Sequence, residues 1–329
     1  MTETGMAQVV QYAACFRPVS PNDCINGARA MSYDGLRRLT ETGIDGWDIT
    51  QATYMTDYLI MGVGILTGML MWRQFGRSGD WPDALPQTFS AWGLLSGISF
   101  GFAGVALHML ATAVQDGATI SKVWFTDGSL WLYPWLMTVL LWPLATSSLF
   151  GMAAAYGQMN MSWIRAAKVI GVILSIVEVC LCIFDLDHSG VPSTIWGTVA
   201  AVACVPIALA LGRDNPGYPL CVVGYVIHLL GYILFFSLAA ICAPHPPQEV
   251  IETESGPLTL RHPEAVEEQP LNFCTESFSR IAAFHVCYAL SLAVLYLGVR
   301  LKADRDRDVS YMNLMRNAYK PKNPRCCGV

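Results

Sequence analysis

Seven stretches of this chain run almost free of charge for the length of a membrane crossing, at residues 53–72, 89–113, 130–152, 166–184, 193–211, 219–242 and 278–301. A span needs about 20 mainly apolar residues, and each stretch meets that requirement. The pattern predicts an all-α polytopic membrane protein: a seven-transmembrane helix bundle over 53–301, with the two termini on opposite sides. Residues 1–52 would form a loosely ordered outer segment with one short helix near 34–41. The last 28 residues, 302–329, would form a basic cytoplasmic tail.

Within the apolar stretches the small and polar positions are themselves patterned. Gly93, Gly97, Gly101, Gly104 and His108 recur at spacings of four, four, three and four, so they share one helix face. Small residues on one face let helices approach closely in lipid, which places His108 in a helix–helix seam and not against acyl chains. Asp57, Gly64 and Gly68 form a similar face in the first helix. In the third, Trp131, Tyr133, Trp135 and Trp142 with Pro134 and Pro143 read as an interfacial aromatic belt on a kinked span. A lipid or ligand cavity is the other reading of those rings.

Composition narrows the class. The chain is 53% hydrophobic and 14% charged, with mean hydropathy +0.41, against roughly 25% charged residues in soluble domains. The net charge of -5 comes partly from segment 245–277, where Glu249, Glu252, Glu254, Glu264, Glu267, Glu268 and Glu276 stand among prolines. That composition predicts an irregular outer loop. Membrane lipids are the implied partners, and no nucleic acid is. The basic tail and the paired Cys326 and Cys327 suggest the plasma membrane or an endomembrane.

Charge also orients the chain. The first, third and fifth connections carry Arg73 and Arg77, then Arg165 and Lys168, then Arg213, whereas the second carries only Lys122. Basic loops stay cytoplasmic, so the amino terminus is expected outside or lumenal and the carboxyl terminus in the cytoplasm. No cleavable leader is evident, since the apolar run near 9–16 is short and has no basic start. Cys242 with Cys274 and Cys15 with Cys24 then fall in the compartment where disulfides persist. Cys180, Cys182, Cys204, Cys221 and Cys287 lie in spans as small hydrophobes.

Four titratable residues carry the candidate chemistry: Asp57, His108, Glu178 and His285. At about 1.5 Å per residue they lie roughly 6, 8, 9 and 10 Å below the outer ends of their spans. Ionisable groups inside a membrane are costly and mark functional sites by default, and two imidazoles with two carboxylates are a donor set for metal-assisted hydrolysis. Simpler readings stand beside that one. Asp57 would be a helix-start residue, and each histidine an interfacial side chain satisfied by a carbonyl. Glu178, in an apolar run, needs a partner. His228 lies on another level and is expected to pack or bond to an adjacent helix. Asp185, Asp187 and His188 are turn residues, with His188 a third imidazole if it folds down.

Thr56-Asp57-Tyr58, His108 in its glycine-rich helix, Leu130-Trp131, and Phe284-His285-Val286-Cys287-Tyr288 leading to Leu295-Tyr296-Leu297-Gly298-Val299-Arg300 resemble a family of seven-helix membrane proteins. That family is distantly similar to the alkaline ceramidase and progestin/adipoQ-receptor superfamily. Its members hold zinc among three His, an Asp and a Ser and hydrolyse lipid amides. The resemblance matches His108 to the second-helix histidine and His285 to a last-helix histidine. The chain departs from it at Ile281 and Ala289, where a second last-helix histidine would stand, and at Gly104, where a serine would stand.

Two function classes therefore remain open. In the first, Asp57, His108 and His285 hold Zn²⁺, Glu178 accepts the proton of a metal-bound water, and a lipid amide or ester is cleaved in the outer leaflet. In the second, the chain is a non-catalytic receptor or transporter and the same groups form a buried proton-relay network. A retinal Schiff base is not expected, because the seventh span has no lysine.

Overall fold

The computed structural model describes residues 51–75, 84–116, 118–241, 248–253, 256–261 and 280–318. The short helix near 34–41, both disulfide pairings and the two terminal cysteines lie outside them. The helices are α1 (Gln51–Phe75), α2 (Ala84–Gln115), α3 (Leu132–Tyr156), α4 (Met161–Phe184), α5 (Val191–Leu211), α6 (Tyr218–Ile241) and α7 (Arg280–Ala318). All seven contain an apolar stretch long enough to cross a membrane. The chain is an integral membrane protein with a seven-helix bundle.

Local chemistry sets the helix ends. Asn160 caps α4, its side-chain oxygen accepting from the Ser162 backbone N–H, so the Asn160-Met161-Ser162 sequence begins a helix. Gly190 takes a left-handed conformation (φ 89°) just before α5, with Pro192 in the first turn. Pro143 and Pro206 lie inside α3 and α5, where lipid-embedded helices tolerate them.

Two stretches differ from the sequence expectation. α7 runs 39 residues, well past the apolar span. Arg300–Asp304 (3.6 Å), Lys302–Asp306 (3.0 Å) and Arg307–Asp304 (3.1 Å) pair along it at helical spacing, and the Arg307 guanidinium lies 5.5 Å from the Phe75 ring at the end of α1. Hydropathy stops at the last apolar residue, but the helix is carried on by these pairs. Segment 245–277 is not irregular throughout: β1 (Gln248–Thr253) and β2 (Gly256–Arg261) form an antiparallel hairpin in the register Gln248 to Arg261. The β-branched Val250, Ile251, Thr253 and Thr259 support strands there.

The packing order differs from the chain order. α1, α2, α3, α5, α6 and α7 close a ring, and α4 packs mainly on the outside of α3. Val169, Val172, Ile173 and Ile176 of α4 and Ile195, Val199 and Val202 of α5 are exposed, as expected of lipid-facing helices. The α1–α2 seam is the glycine face read from the sequence. A β-carbon on Gly64 would lie 2.7 Å from the Gly93 carbonyl oxygen, and one on Gly97 would lie 2.8 Å from the Ile65 nitrogen. The two backbones touch, and this brings Asp57 against the middle of the bundle.

Candidate functional site

The depth alignment brings two of the four candidate residues into contact. Asp57 and His285 are 1% and 5% exposed, and Asp57 Oδ1 lies 3.3 Å from His285 Nδ1 across the α1–α7 seam. Asp57 stands a turn and a half inside α1 and is not a solvated helix-start residue. Thr56 Oγ1 lies 3.1 Å from the same Nδ1. The single Thr56 hydroxyl hydrogen is directed at the Ala52 or Thr53 carbonyl, each 2.8 Å away. The Thr56 oxygen is then an acceptor toward the ring, so His285 Nδ1 carries a hydrogen and donates to Thr56, with Asp57 Oδ1 at ion-pair distance from the same nitrogen. The Phe100 ring stands edge-on to the imidazole, with centroids 5.2 Å apart.

Phe100 also connects this pair to a second polar group deeper in the bundle, its ring being 5.0 Å from that of Tyr288. Tyr288 Oη accepts from Trp92 Nε1 at 3.0 Å and shares a hydrogen bond with Ser96 Oγ at 2.8 Å. His228 packs edge-on to Tyr288 at 4.8 Å, and its Nδ1 is 3.4 Å from Ser291 Oγ. As expected, His228 bonds to an adjacent helix. Sequence reasoning missed Tyr288, Ser291, Trp92 and Ser96. Helical spacing holds a signal for the first two, since Tyr288 and Ser291 follow His285 at steps of three on the inward face of α7.

Glu178 lies apart from the pair. It is fully buried and binds the amino terminus of α5, where Gly190 N–H donates to Oε2 at 2.6 Å and Ser193 N–H to Oε1 at 2.7 Å. The Ser193 hydroxyl donates to Oε1 as well, at 2.5 Å. A carboxylate with three donors at a positive helix end is in a strongly favourable place. The sequence signal was in Gly190-Val191-Pro192-Ser193, a helix start whose first turn contains no acid of its own.

His108 lies on the expected seam but at its exposed rim. Its ring stacks on Tyr54 (4.7 Å, 2°), and its Nδ1 is 3.4 Å from Tyr58 Oη. At Gly104, one turn before it, the helices are close enough that a β-carbon would lie 2.9 Å from the Tyr58 ring and 3.1 Å from Asp57 Cβ, whereas the His108 ring is exposed at the end of the seam. His188 is exposed and bonds Asp185 through Nδ1 at 2.8–2.9 Å; it does not fold down into the bundle.

A catalytic zinc takes about three protein ligands. Among the described residues no three His, Cys, Asp or Glu side chains converge, and Asp57 with His285 make two. What the described residues bring together is a buried carboxylate–imidazole pair. Comparison with protein-family models, curated proteins and solved structures finds no match.

Proposed function

We propose that this chain is a non-catalytic seven-helix receptor or transporter whose working element is the Asp57–His285 pair. One observation carries the reading: a carboxylate and an imidazole, almost fully buried, meet across two helices at 3.3 Å. Ionisable groups at such a place mark proton relays and ion paths, and histidine changes charge near neutral pH. The pair joins α1 to α7, so its protonation state biases how those helices pack. Tyr288, Ser96, Trp92 and His228 supply the adjoining hydroxyl and ring network. A switch of this kind needs a local charge change and a two-state element that the change biases; in this reading the pair is the site of the charge change and the α1–α7 seam is the element it biases.

Two measurements on detergent-purified protein test this reading against the lipid hydrolase. Zinc is quantified by plasma mass spectrometry after reconstitution with the metal, in wild type, His108→Ala and His285→Ala. The proposal expects no stoichiometric zinc in any of them. Proteoliposomes with an imposed pH gradient are then followed by a fluorescent pH reporter or by infrared spectroscopy. The expected result is a pH-dependent response in wild type that Asp57→Asn abolishes. One zinc per chain, lost in both histidine variants while the fold survives, would overturn the proposal in favour of metal-assisted hydrolysis.

A further inference from the structure

The connection between α2 and α3 is tightly built and ends in an exposed phenyl ring. Ser121 N–H bonds the Gly128 carbonyl at 3.1 Å, and Thr126 Oγ1 bonds both the Val123 carbonyl (2.6 Å) and Ser121 Oγ (2.7 Å). Ser129 Oγ returns to the Thr126 carbonyl at 2.7 Å, and Trp131 Nε1 closes onto the Ser121 carbonyl at 3.1 Å. Gly128 (φ 83°) is pressed against Thr119 so closely that a β-carbon there would overlap its carbonyl. At the tip Phe125 adopts φ 63°, a left-handed conformation that bulky residues avoid. Such a conformation persists only where surrounding bonds over-determine it, and it points to function.

What the loop presents is mainly apolar, with Thr126 and Asp127 the exposed polar residues at its tip. Phe125 is 86% exposed, Leu130 67% and Val123 64%. The Trp124, Phe125 and Tyr133 rings form a cluster with centroids 5.4 to 6.4 Å apart. The loop's level is fixed independently, because Trp124 Nε1 donates to the Cys182 carbonyl at 3.2 Å, two residues before the end of α4. Phe184 at that end is 84% exposed and belongs to an apolar span. The ring cluster thus lies beside the last turn of α4, a helix whose exposed face is apolar.

We infer that the 121–133 segment is a rigid membrane wedge, with Phe125 and its neighbours seated in the headgroup–acyl boundary of the bilayer. Aromatic rings are favoured at that depth, whereas an exposed phenyl on a strained backbone gains nothing from water. The strain at Phe125 turns the ring toward lipid, and the hydrogen bonds beneath it keep the aim fixed. The wedge is independent of the Asp57–His285 reading and of which leaflet it enters.

The test places para-fluorophenylalanine at position 125 of the full chain, in phosphatidylcholine nanodiscs, with the same label at Phe184 as a lipid-facing reference and at Phe89, which is 0% exposed. Fluorine relaxation is compared with dissolved oxygen, which partitions into acyl chains, and with an aqueous nickel chelate. The expected result is a several-fold stronger effect of oxygen than of chelate at 125, matching Phe184. A dominant chelate effect would show a loop standing in water, and protection from both reagents, as at Phe89, would show a protein-covered surface. Either outcome overturns the wedge.

Discussion

Asp57 and Glu178 are both carboxylates at or below 1% exposure in the same bundle, and their surroundings differ in kind. Glu178 meets two backbone N–H groups and a hydroxyl at the start of α5, donors that do not themselves titrate. Asp57 meets an imidazole, a partner that can itself take or lose a proton. Burial alone thus does not mark a working carboxylate. The neighbour differs: Glu178 locks two helices together, while Asp57 faces a side chain that can itself carry a proton.

The largest break in this contrast comes from the lock. Glu178→Ala leaves the α5 amino terminus without its acceptor inside the membrane, and we expect a loss of about 3 kcal/mol of stability, read by denaturant unfolding in detergent, from the cost of stranded donors to a charged group. Glu178→Gln should lose about half of that. Neither variant should remove the protonation response of Asp57. A Glu178 variant that folds normally yet loses that response would merge the two carboxylates into one site.

Next comes the seam that presents Asp57. Gly97→Leu introduces a side chain where even a β-carbon meets the Ile65 backbone at 2.8 Å, and over-packing of this kind costs about 2 kcal/mol. The displaced α1 should also make Asp57 reachable by a water-soluble carboxyl reagent, measured as labelling by mass spectrometry. Asp57→Asn is smaller, about 1 kcal/mol at neutral pH, because the amide keeps the shape of the carboxylate and loses only its charge beside His285. His108→Ala should change stability by about 0.5 kcal/mol, as expected for an exposed stacked ring, and should leave the Asp57 response unchanged.

The same contrast explains what was legible in the sequence. Seven charge-poor stretches foretold seven helices, and the glycine spacing foretold the α1–α2 seam, because helix periodicity and lipid exclusion are local properties. Rise per residue placed Asp57 and His285 on one level, and they touch. That arithmetic carries no azimuth, however, and so it grouped Glu178 with them although its residue partners stand at the start of the next helix. His108 was assigned to the correct seam but to the wrong side of it, since a small-residue face does not say where the first large side chain must turn. Trp92, Ser96 and Tyr288 form their hydrogen bonds between helices far apart in sequence, a relation that no local pattern encodes. The length of α7 was hidden for another reason: just past the apolar span it is laced by ion pairs between Arg300 and Arg307, to which hydropathy is blind.

The central claim is that Asp57 and His285 share and exchange a proton inside the membrane. Infrared difference spectroscopy of the reconstituted protein between about pH 5 and 8 tests it most directly, by the carboxyl stretch in wild type, Asp57→Asn and His285→Asn. The account predicts a titrating carboxyl band that is absent from Asp57→Asn and displaced in pH by His285→Asn. A band that persists in Asp57→Asn, or that titrates identically in His285→Asn, would contradict it.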